Sequence, residues 1–169
     1  VTPFFLGLAA IVAAGLCATL LRHRPALADR GFGLLVSAGC VLAAVPAVRV
    51  LAGAPTTSVA LAVPAPGGGG PWVFGIDLLS APFVLIVAGP GLASALFGLR
   101  ALGDERRHRP VTAAQVLFAF ELAALALVVT ARAVVPFLVC WEVMAVLAYF
   151  LVIFEHDRAE VRRAGLVYL

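Results

Sequence analysis

The chain is 169 residues long, 63% apolar and only 12% charged, with a mean hydropathy of +1.10. A soluble domain carries roughly a quarter charged residues, and a globule of this length has no interior large enough to hide such an apolar excess. These proportions exclude a soluble enzyme, a disordered chain and a nucleic-acid-binding domain. They make the protein an integral membrane protein, and its net charge of +3 has to be read as topology and not as a polyanion surface.

A hydrocarbon core of about 30 Å takes roughly 20 helical residues to cross, and five stretches have that length. Residues 3–21 carry no charge, nor do residues 31–48 or 78–99. Residues 111–131 hold one charge, Glu121, and residues 133–154 hold one, Glu142. Backbone groups find no water in lipid, so each stretch is expected to be a helix. The fold class is therefore all-α, a polytopic transmembrane bundle of five full spans. A sixth span is expected to open near Ala164 and runs only to Leu169, so the chain reads as a fragment of a longer polytopic protein. Between the second and third spans, residues 51–75 are Pro- and Gly-rich and nearly uncharged (PAPGGGGP from Pro64 to Pro71), which reads as a flexible loop. Pro90 falls inside the third span and Pro136 in the first turn of the fifth, where a missing N–H costs little.

All twelve basic residues are arginine. Arg22, Arg24 and Arg30 follow the first span; Arg100, Arg106, Arg107 and Arg109 follow the third; Arg158, Arg162 and Arg163 follow the fifth. Only Arg49 and Arg132 fall on the other side. Positive charge marks the cytoplasmic connections, which puts the N-terminus and the 51–75 loop outside. The first span precedes its charges instead of following them, so it reads as a helix and not as a signal peptide.

The two intramembrane carboxylates are the candidate functional groups. Glu121 and Glu142 each lie near the middle of a span, where a charged side chain costs about 2.5–3.5 kcal/mol on insertion scales. Glutamate is too short to reach either interface from there, so such a group is either protonated or paired inside a bundle. With only Arg132 between the two spans they form an antiparallel hairpin. Both carboxyls then sit roughly 15 Å from its turn, at one depth but not necessarily facing. Glu142 is the main candidate for carrying a proton and Glu121 the weaker one. Tyr149 shares the Glu142 face at a seven-residue offset and is a minor relay candidate, since an aromatic at that spacing usually packs. Asp77 precedes the third span, where capping the helix is its ordinary use. His23, His108 and His156 are scattered through the connections and read as solvated. Cys17, Cys40 and Cys140 are widely spaced within apolar runs and suggest neither a metal site nor a disulfide framework. No catalytic, metal or cofactor-binding motif stands out, and no cofactor is expected.

The stretch FLVCWEVMAVLAYFLVIFEHDRAEVRRAGLVYL from Phe137 to Leu169 resembles the fifth helix and following elbow of the proton-conducting antiporter-like membrane subunits. These comprise subunits L, M and N of complex I, the Mrp-type antiporters, and the large membrane subunits of hydrogenase 4 and formate hydrogenlyase. The residues that carry the likeness are Trp141-Glu142, Tyr149-Phe150-Leu151 and, before the third helix, Asp77-Leu78-Leu79-Ser80-Ala81. The continuation through Glu155-His156 and Arg162-Arg163-Ala164-Gly165 is most similar to the hydrogenase-4 and formate-hydrogenlyase branch of the family. The resemblance implies a fold of two inverted repeats. Residues 1–130 would then be N-terminal helices, and residues 131–169 the start of the transporter domain. It also implies that Glu142 pairs with a lysine in a later helix, beyond Leu169. Glu121 matches no family position and stands on the physical argument alone.

What the family implies further is a subunit without a redox centre. It would couple electron transfer in partner membrane and peripheral subunits to movement of protons or sodium ions, in a bacterial plasma membrane. An Mrp-type cation/proton antiporter subunit is the alternative within transport. A non-transporting membrane scaffold, whose two glutamates only join helices, is the alternative outside it.

Overall fold

The computed structural model of the protein describes residues 2–62, 70–105 and 111–168. Helix α1 (Thr2–Leu20) is followed by α2 (Pro25–Leu51), strands β1 (Thr57–Leu61) and β2 (Trp72–Ile76), and α3 (Ser80–Glu105). Then come α4 (Val111–Thr130), α5 (Val134–Val152), a single 3-10 turn and α6 (Ala159–Tyr168). Helices α1 to α5 are each long and apolar enough to cross a membrane, as the hydropathy requires.

Helix α2 begins six residues before the expected span. Pro25 at its start needs no N–H partner, and the charged first turns with Asp29 and Arg30 are helical too. Charge bounds the apolar stretch without bounding the helix. Asp29 Oδ1 accepts a 2.8 Å hydrogen bond from the buried Gln115 Nε2 of α4, tying that end of the bundle together. Arg106, Arg107 and Arg109, three of the arginines that set the orientation, and His108 lie outside the described residues.

Helices α1 to α4 form the bundle: α1 packs on α2 and α4, and α3 packs on α2 and α4. In lipid no apolar face is driven inward, so close backbone approach has to hold such helices together. Small residues supply it. A Cβ on Gly7 would stand 2.5 Å from Gly39 O, and one on Gly15 would stand 3.3 Å from Ala119 Cβ. Phe4, Ile11, Val36, Cys40, Val84 and Leu122 fill the core around these contacts. Helix α5 packs on α4 from outside this bundle.

The 51–75 connection differs from the expected loop. β1 and β2 form an antiparallel hairpin with Thr57 opposite Ile76 and Leu61 opposite Trp72. Residues 63–69, most of the Pro/Gly stretch, lie outside the described residues. The hairpin is ordered because it is amphipathic across its strands. β1 is largely exposed, whereas Phe74 and Ile76 of β2 are buried against the bundle, Phe74 edge-on to Phe5 of α1.

Helix α6 starts at Ala159, earlier than the apolar pattern suggested, because the polar elbow is itself partly helical. Arg162 Nη1 donates to the His156 and Asp157 carbonyls at 2.8 and 3.1 Å, closing the turn. Gly165 then lies against Ile153 and Tyr149, so α6 folds back along α5.

Candidate functional site

Glu121 is the eleventh residue of the twenty in α4, and Glu142 the ninth of the nineteen in α5. Counted from the joint between the helices, they lie nine residues before Thr130 and eight after Val134. Both are therefore about 12–14 Å from the joint at 1.5 Å per residue. The two helices thus carry them at similar distances from the joint.

Rotation is what the sequence left open. On α4, Ala119 meets Gly15 of α1 and Leu122 meets Gly91 of α3. Glu121 is two residues from Ala119, which is about 200° around the helix. It therefore points away from the contact with α1. It is half-buried, and its Oε2 is enclosed with no hydrogen-bond partner among the described residues. On α5, Pro136 and Cys140 are buried, so that stripe faces α4. Glu142, two residues beyond Cys140, is rotated about 200° from it and is exposed. The two carboxylates are thus not brought face to face.

The face that carries Glu142 is largely uncovered. In the most apolar stretch of α5, 11% of residues are buried, against 39% in α1, α2 and α4. Val139, Trp141, Val146 and Phe150 are exposed alongside Glu142. Tyr149 lies on the same face, half-buried, edge-on to Phe150 and close to Gly165 of α6. It thus sits where α6 meets α5.

A polar cluster that the sequence argument did not assemble lies at the hairpin end. Asp77 caps α3 as expected, Oδ1 accepting from the Leu79 and Ser80 N–H groups at 3.0 and 2.8 Å. Its N–H donates to Ser80 Oγ at 2.9 Å in return. Arg132, in the α4–α5 joint, completes the cluster. Its Nη1 is 2.6 Å from Asp77 Oδ2, and its Nη2 donates to Gly75 O and Ser80 Oγ at 3.1 and 3.2 Å. The Arg132 guanidinium and then the Ser80 N–H hold the Asp77 carboxyl well below the usual carboxylate range. The backbone joins as well: Arg132 N–H donates to Val73 O at 2.8 Å, and Ala131 bridges Phe74. In the sequence Arg132 is one of only two arginines on the outer side. A lone arginine in a one-residue joint opposite an Asp-x-x-Ser cap was the available signal.

The remaining candidates are not brought to this site. His23 accepts from the Nε of its neighbour Arg22, and His156 lies 3.7 Å from Asp157 at the exposed elbow. His108 lies outside the described residues. Cys17, Cys40 and Cys140 are free thiols on three different helices.

No family model matches the chain. Two uncharacterized proteins from two strains of Mycobacterium tuberculosis are each 37% identical to it over 78 residues, 46% of this chain and 12% of theirs. The chain thus spans about an eighth of the length of these curated relatives. Among solved structures, it is similar to a chain of the membrane-bound sulfane sulfur reductase, an archaeal respiratory membrane complex, with a TM-score of 0.77 at 21% identity. That likeness covers 96% of this chain and 32% of the other. The protein is a polytopic helical membrane protein whose fold is shared with part of a respiratory-complex subunit.

Proposed function

We propose that the chain is the N-terminal part of a membrane subunit of a respiratory-type complex that moves protons across the bilayer, with Glu142 as the proton-carrying group. The observation that carries this reading is the position of Glu142. It is a carboxylate at mid-membrane depth, on a helix face that the described residues leave uncovered. Buried in lipid as an anion it would cost several kcal/mol, about 2.5–3.5 on insertion scales. On this reading it alternates between a protonated form and an ionised form beside a cation brought up from that side. Alternation between those two states moves one proton per cycle. The resemblance supplies the cation as a lysine from a helix beyond Leu169.

Glu121, on the neighbouring helix α4, offers a second protonatable group. Tyr149 offers a hydroxyl on the Glu142 face toward the elbow. Electron transfer belongs, on this reading, to partner subunits, and the resemblance of the Glu155-to-Gly165 segment favours a hydrogenase-4-type complex. The mycobacterial relatives support a bacterial plasma membrane as its location.

The test is Glu142→Gln in the full-length protein, assembled with its partners in proteoliposomes and followed with a pH-sensitive dye. Gln keeps the shape and the hydrogen-bonding capacity but cannot release a proton. Coupled proton uptake should fall to background while assembly is unchanged. Undiminished uptake by the variant sinks the proposal, and uptake driven by a sodium gradient without electron transfer moves it to the Mrp-type antiporters.

A further inference from the structure

Two hollows meet at Arg49, in the last turn of α2. A groove of about 440 Å³ between α2 and α3 is lined by residues that include Cys40, Ala44, Val48, Leu85 and Gly89, with Arg49 at one end. A smaller hollow of about 230 Å³ lies past the end of α2, against Pro3, Pro55, Thr57 and, again, Arg49. Arg49 is the one charged residue in either lining and is exposed. Among the described residues no carboxylate pairs with it.

The dimensions of the groove are those of one leaflet. From Arg49 to Cys40 is nine residues, about 14 Å along the helix, close to half of a hydrocarbon core of about 30 Å. It closes at Cys40 because α3 comes in there: a Cβ on Gly91 would stand 3.2 Å from Cys40 Sγ and 2.8 Å from Leu122. Two residues nearer the Arg49 end, a Cβ on Gly89 would meet nothing within 4 Å. An apolar slot of leaflet depth, ending in an unpaired guanidinium beside a partly polar hollow, matches a phospholipid feature by feature. The slot takes a hydrocarbon chain, the guanidinium takes the phosphodiester in a charge-assisted contact, and the hollow takes the rest of the headgroup.

We propose that the α2–α3 groove and Arg49 form a binding site for an anionic phospholipid. The site lies across the bundle from Glu142 and does not depend on the proton-translocation reading.

The experiment compares dioleoylphosphatidylglycerol with dioleoylphosphatidylcholine, which share acyl chains and differ in headgroup charge, on the full-length protein in detergent. Retention is read by native mass spectrometry and stabilisation by thermal unfolding. The native protein should retain the anionic lipid preferentially and melt higher with it. Arg49→Gln should weaken that lipid roughly tenfold, the loss of one charge-assisted contact, and leave the zwitterionic lipid unaffected. Gly89→Leu, whose side chain grows into open space, should reduce retention of both. Equal retention of the two lipids by the native protein overturns the proposal, as does displacement of the anionic lipid by excess inorganic phosphate. An Arg49→Gln protein that is less stable yet keeps the headgroup preference also overturns it, since Arg49 would then only offset the α2 dipole.

Discussion

Arg132 Nη1 lies 2.6 Å from Asp77 Oδ2, so the joint between α4 and α5 is fastened to the start of α3, 55 residues away in sequence. The same arginine reaches Gly75 O in β2. One side chain thus joins the hairpin, the α3 cap and the helix pair that carries Glu121 and Glu142. Gly75 leaves room for it, since a Cβ there would stand 3.1 Å from Arg132 Nε. The depth of both glutamates is referenced to this fastened joint.

Replacing Arg132 by Ala should lower stability by about 1–2 kcal/mol, the range for a partly exposed but hydrogen-bonded ion pair. Thermal unfolding in detergent measures it. Because Asp77 and Arg132 act as a unit, Asp77→Asn added to Arg132→Ala should cost less than the sum of the two single changes. Full additivity would mean that the pair is not coupled.

The pH dependence of that contribution has a definite sign. The folded-state pKa of Asp77 is depressed, so the pair stabilises the protein above the ordinary carboxylate value. The contribution is lost only as pH falls below about 4, through the depressed pKa. Arg132→Ala should therefore shift the melting temperature by the same amount at pH 6 and pH 8, with the gap narrowing only in strong acid. A gap that closes near neutrality would exclude Asp77 as its source.

Glu121 separates a functional role from a packing role. Its Oε2 is enclosed and unpartnered among the described residues, a burden of about 1–3 kcal/mol for a buried polar atom. Glu121→Leu should raise the melting temperature by removing it. If Glu121 takes part in proton movement, Glu121→Gln should slow translocation without abolishing it, and at full assembly. Native rates in the Gln variant would leave Glu121 as a helix-contact residue only.

The α1–α2 contact tolerates no side chain at Gly39, where a Cβ would stand 2.6 Å from Ile11 Cγ1 and 2.7 Å from Gly7 O. Gly39→Val should destabilise the bundle by at least the 1–3 kcal/mol typical of overpacking, read as a lower melting temperature in detergent. Gly89→Val, where a Cβ meets nothing, is the matched control and should have a much smaller effect.

Five apolar stretches separated by charged or Pro/Gly-rich breaks determined the number of spans, because lipid admits only helices of that length. They also determined the depth of Glu121 and Glu142, because residue count along a helix is distance. Residues 51–75 did not disclose the hairpin. Its strands are five residues each, and the pairing of Thr57 with Ile76 is a contact across the Pro/Gly stretch. Nor could hydropathy place α2 at Pro25, since charged first turns are helical outside the hydrocarbon. Which way each glutamate points was decided only in three dimensions. Helices that are apolar all round carry no stripe to mark an inner face, so rotation was set by the few places where Gly7, Gly15, Gly39 and Gly91 let backbones approach. The Gly15 contact turns Glu121 away from α1, and the burial of Pro136 and Cys140 against the bundle leaves Glu142 on the open side of α5.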